Sequence, residues 1–109
     1  MGWAKGSGFY SQGIGKHRQQ QTSFVYEGPP FTSPGEVSGA PYGQEPYVRV
    51  HMPDRGSLDA LAAHWSRTHV LIRWEDNFTT FNAWVPARWV QRITEEESRW
   101  RATDRLRRP

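Results

Sequence analysis

At 109 residues the chain has room for one domain, and the absence of cysteine excludes disulfide frameworks, cysteine-based zinc sites, iron–sulfur clusters and thiol nucleophiles. Hydrophobic residues make up 36% of it, and no run approaches the roughly 20 consecutive apolar residues of a membrane-spanning helix. The opening Met1, Gly2, Trp3, Ala4, Lys5 and Gly6 do not lead into the apolar stretch of a secretion signal, so no membrane contact and a cytoplasmic location are expected.

Residues 1–44 hold nine of the ten glycines, a run of glutamines at 19–21, and Pro29, Pro30, Pro34 and Pro41. Such composition buries too little apolar surface to offset chain entropy, which predicts an extended arm. Its aromatics argue that it is more than a spacer. Phe24, Tyr26 and Phe31 are the candidate partner-binding residues, either packing on the domain or ordering on another protein. Residues 22–27 (TSFVYE) form its one expected strand.

A patterned domain is expected over residues 45–93. Residues 47–52 (YVRVHM) read as a strand ended by Pro53. After the turn at 53–56, Ser57 stands where a helix cap is wanted, and Leu58, Leu61, Ala62 and Trp65 follow at helical spacing. This pattern predicts one short amphipathic helix ending at 64–66, with Trp65 in the core.

Residues 69–75 (HVLIRWE) are the strongest strand, with Val70, Ile72 and Trp74 on one face and Leu71 and Arg73 on the other. Asp76 and Asn77 turn the chain into a second strand at 79–85, with Phe81, Ala83 and Val85 on one face and Thr80, Asn82 and Trp84 on the other. Pro86 stops it. Residues 87–89 suit a single tight helical turn, and 90–93 a last short strand. In the tail, 94–109, acids at 95–97 and arginines further on complement a helix dipole, which predicts a terminal helix of about ten residues. The 48 or so patterned residues lie near the lower limit for independent folding, so the arm, the tail or a partner is expected to complete the core.

The hairpin HVLIRWEDNFTTFNAWV followed by PARWVQRI resembles the closing half of a small barrel of the Src-homology-3 type, to which Tudor, chromo and KOW modules are similar. The resemblance implies a mostly β, partly open barrel, here with one inserted helix, an N-terminal arm and a C-terminal helix. For the peptide-binding members it implies a groove at Trp84, Pro86 and Trp89, although no ALYDY-like run precedes His69. In composition the chain is similar to small proteins encoded by actinobacterial phages.

Net charge is +3, and only two of the fourteen basic residues, Lys5 and Lys16, are lysine. Guanidinium groups pair with phosphate through a planar fork and stack on aromatic rings, so a preference for arginine suits a recognition surface; codon bias would produce the same count without function. Arg73, Trp84, Arg88, Trp89 and Arg92 are brought close by the predicted hairpin and closing turn. Together with Arg99, Arg101, Arg105, Arg107 and Arg108 of the tail they are the candidate nucleic-acid contacts, the indoles stacking bases and the arginines holding phosphates. The competing structural role is core for the indoles and i,i+4 pairing with Glu95 and Glu97 for the tail arginines. His17, His51, His64 and His69 fall at no metal-ligand spacing, and no nucleophile, phosphate loop or cofactor motif is present. A binding protein without catalysis, metal, cofactor or small-molecule ligand is the expectation. Nucleic acid is the first partner and a protein engaged by the arm the alternative.

Overall fold

A computed structural model describes residues 21–103. They form a mostly β domain compatible with a barrel-like fold. Its strands are β1 (Gln21–Val25), β2 (Ser38–Gly39), β3 (Tyr47–Met52), β4 (Gly56–Trp65), β5 (His69–Asp76), β6 (Thr79–Pro86) and β7 (Val90–Arg92), with single 3-10 turns at Pro34–Glu36 and Ala87–Trp89. They make one sheet in the order β1-β6-β5-β4-β3-β7, and β2 adds to β4. Strands β3 to β6 meander antiparallel, and β7 returns to pair with β3. Parallel pairing of β1 with β6 extends the other end.

The sheet does not close, but it curls. Tyr26, just past β1, meets Trp89, just before β7, with ring centroids 5.7 Å apart, so the flanks of the two terminal strands touch. Inside the curl the period-two residues Val48, Val50, Met52, Ala60, Ala62, Ile72, Trp74, Ala83 and Val85 form the main core. Trp74 stacks on Phe81 directly across the β5–β6 ladder, at 5.3 Å. Ile72 and Val85 are wholly shielded from solvent, each burial being worth about 1.5–3 kcal/mol.

The predicted helix after Ser57 is instead β4. Leu58 and Ala62 sit four residues apart, a spacing common to one helical turn and to two strand repeats, so the pattern is ambiguous. Pairing with β3 on one side and β5 on the other resolves it. Leu58, Ala60 and Ala62 then face the core, while Asp59 and Leu61 face outward. Leu61 is nonetheless fully buried, because Tyr47, Ile93, Ala102 and Trp100 pack a second, smaller core over the outer face.

The tail supplies that cover. Residues 94–102 are turn and irregular chain rather than helix, a correction to the dipole-based expectation; residues 104–109 lie outside the described residues. Glu97 caps Thr94 through that residue's N–H (2.8 Å) and hydroxyl, closing one tight turn. Beyond it, Ala102 N–H donates to the Tyr47 hydroxyl and Thr103 Oγ1 to Glu75. Two segments flanking the patterned region therefore complete the fold: the tail over β3–β4–β5, and residues 26–37 over β5 and β6. Among the described residues no helix is long and apolar enough to cross a membrane.

Candidate functional site

One end of the curled sheet is built by a bulge. The β4–β5 register shifts between Ala62 and His64, so that Ala63 is extra and Trp65, opposite Val70, turns toward the open mouth of the curl. Trp65 is 37% exposed. Trp65 was expected in the core on helical spacing, and the change from helix to bulged strand is what brings it out.

The turn beyond Trp65 is tightly held. Ser66 Oγ donates to the Pro30 carbonyl at 2.6 Å and accepts from the N–H groups of Thr68 and His69. His69 is buried, and its Nε2–H donates to the carbonyls of Tyr26 (3.1 Å) and Glu27 (3.0 Å). The Thr68 hydroxyl lies 2.8 Å from Nδ1 and holds the other side of the ring. Ala87 N–H donates to the Thr68 carbonyl and anchors the 3-10 turn at the same end.

Between these anchors lies a cleft of about 290 Å³. Val48, Ala62, Val70 and Val90 form its apolar floor, and Pro46, Trp65, Ala87 and Arg92 its walls. Arg92 pairs in register with Val48, which places it on the inner face of β7, yet it is exposed. It forms no ion pair among the described residues. Arg88, beside Ala87, is two-thirds exposed, pairs with Glu27 at 2.7 Å and lies 6.0 Å from the Trp89 ring centroid.

The other sequence-selected residues are dispersed. Arg73 lies on the outer face between Glu45 (3.9 Å) and Glu75 (3.6 Å), and its Nη2 is buried without a hydrogen bond. Trp84 is 5% exposed and meets Phe31 edge-on at 5.5 Å, so a base could stack on it only if the segment carrying Phe31 lifted. Trp89 is half-buried against Tyr26. Arg99 is engaged with Asp59, and Arg101 Nε donates to the Glu95 carbonyl at 3.1 Å. Arg105, Arg107 and Arg108 lie outside the described residues.

Phe24, Tyr26 and Phe31 fold onto their own domain. Phe24 and Phe31, with Pro34, Val37, His64, Leu71 and Trp84, line a second, largely apolar groove of about 670 Å³ on the outer face. Among the described residues no group of three or more metal-ligating side chains converges.

The buried carboxylate of Asp59 is the strongest electrostatic feature. Burial by itself would raise its pKa, but hydrogen bonds from the Arg49 and Arg99 side chains, the Arg99 N–H and the Arg49 charge outweigh that and hold it well below the usual carboxylate range. Arg49, Arg73, Arg88 and Arg99 are thus ion-paired within the protein, whereas Arg55, Arg67, Arg92 and Arg101 form no ion pair among the described residues. No protein-family model, curated protein or solved structure matches the chain.

Proposed function

We propose that this protein is a small, non-enzymatic module that binds nucleic acid through the open end of its curled sheet. Trp65 supplies the stacking face, Arg92 and Arg88 the phosphate contacts, and Trp89 supports Arg88. The observation that carries the proposal is the pairing, at one apolar cleft, of a partly exposed Trp65 with an Arg92 guanidinium that forms no ion pair among the described residues. Base stacking on an indole is worth about 1–3 kcal/mol, and arginine adds phosphate attraction independent of sequence. The order of four meandering strands, a one-turn helix and a last strand returning to the first supports a barrel of the Src-homology-3 type as the scaffold. On that scaffold residues 45–93 are the barrel proper, with residues 1–44 as arm and 94–109 as tail.

Fluorescence anisotropy of labelled single-stranded DNA and RNA with the full chain, at two salt concentrations, tests this. Binding should weaken linearly in log salt; Arg88→Glu with Arg92→Glu should remove it, and Trp65→Ala should weaken it by the stacking contribution. Absence of binding at low salt, or binding indifferent to all three substitutions, sinks the proposal.

A further inference from the structure

The opposite end of the β5–β6 hairpin carries an unusual side chain. Asn77 and Phe78 form a two-residue turn with φ of 53° and 66°, a conformation in which the second position ordinarily calls for glycine. A bulky aromatic there is strained, and Phe78 is also 86% exposed, so neither local conformation nor packing accounts for it. Beside it Asp76 is exposed and makes no side-chain hydrogen bond or ion pair among the described residues. The tip therefore presents an exposed phenyl ring and, two residues before it, an exposed carboxylate.

The cleft at the other end has the complementary pair, an apolar floor and Arg92. The ladder separates the two ends, running from His69 opposite Pro86 at the cleft to Asp76 opposite Thr79 at the tip. At about 3.3 Å per residue that is roughly 23 Å of rigid antiparallel strand, so a chain cannot place its own Phe78 in its own cleft. We infer that the occupant is a second copy: Phe78 of one molecule inserts into the cleft floored by Val48, Val70 and Val90 of the next, with Asp76 meeting Arg92 across the contact. Such a contact joins different surfaces of the two copies and therefore propagates head to tail, closing into a ring or continuing as a filament. The inference shares a cleft with the nucleic-acid proposal but needs no nucleic acid.

Sedimentation velocity of the full chain alone, at rising concentration and low salt, reads the contact directly. The average mass should climb above the 12.6 kDa of one chain, whereas Phe78→Gly, which suits the turn and preserves the fold, should remain monomeric. D76R and R92D should each be monomeric alone. Mixed, they restore complementary contacts in both directions and should assemble as alternating copies. A wild-type chain that stays monomeric up to its solubility limit, or a Phe78→Gly chain that associates like wild type, overturns the inference. So does failure of the mixed variants to pair. Phe78→Gly should also retain oligonucleotide binding, so loss of assembly and loss of nucleic-acid contact are separate results.

Discussion

Arg99 reaches back forty residues to Asp59, donating through its backbone N–H at 2.7 Å and through Nε at 3.1 Å. Arg49 approaches the same carboxylate from the neighbouring strand at 2.8 Å and donates from Nη2 to the Glu97 carbonyl. The side chain of Asp59 is only 2% exposed, so one buried charge in the middle of β4 fastens the tail to the sheet.

Replacing that charge should be costly. Asp59→Asn keeps the shape but leaves two guanidinium groups without their counter-ion, and a destabilisation of about 2 kcal/mol is expected from the loss of charge-assisted hydrogen bonds. Urea denaturation followed by tryptophan fluorescence measures it; a change under 0.5 kcal/mol, within the range of an ordinary surface substitution, would show that the tail is held by packing alone.

Acid should act through the same group. Because the folded state depresses the Asp59 pKa below its ordinary 3.8, the carboxylate's contribution is complete above that pH and is lost as pH falls below it. Unfolding free energy should therefore decline from about pH 4 downward, and the decline should be shallower in Asp59→Asn. Equal pH slopes for the two proteins would remove Asp59 as the cause.

His69 is expected to be a local staple. Removing its ring in His69→Ala leaves the Tyr26 and Glu27 carbonyls without their donor, a loss of about 1–3 kcal/mol. Hydrogen exchange should show the damage confined first to β1 and the segment after it, since β1 is held on one side only, by β6. Uniform loss of protection across β3 to β5 would instead mark His69 as part of the global core.

Phe78→Gly should stabilise. Relieving a positive φ at an exposed site outweighs the added flexibility of glycine, and a gain of about 0.5–1 kcal/mol is expected in the monomer at low concentration. A loss of stability would mean that Phe78 packs within its own chain.

Period-two alternation was sufficient for β3, β5 and β6, with proline marking the end of β3 and β6 and the Asp76–Asn77 turn that of β5. Pro86 followed by Ala87–Trp89 marked the one-turn helix, and the faces of Val70, Ile72, Trp74, Phe81, Ala83 and Val85 agree with the sequence pattern. The site was legible only in part. Arg88 and Arg92 stand near the cleft, but Arg73 and Trp84, close to them in the hairpin, face the covered outer side. Trp65 escaped because no local signal marks a bulge at Ala63.

What the sequence by itself determined is the strand-rich character of residues 47–52 and 69–93, since alternation and chain stops are properties of neighbours. The tertiary structure decided β4, the exposure of Trp65 and the course of the tail. Leu58 and Ala62 satisfy a helix and a strand equally; the difference rests on Asp59 and Leu61, which are tolerable facing outward only because Arg49, Arg99, Tyr47 and Ala102 arrive from distant parts of the chain to neutralise the one and cover the other.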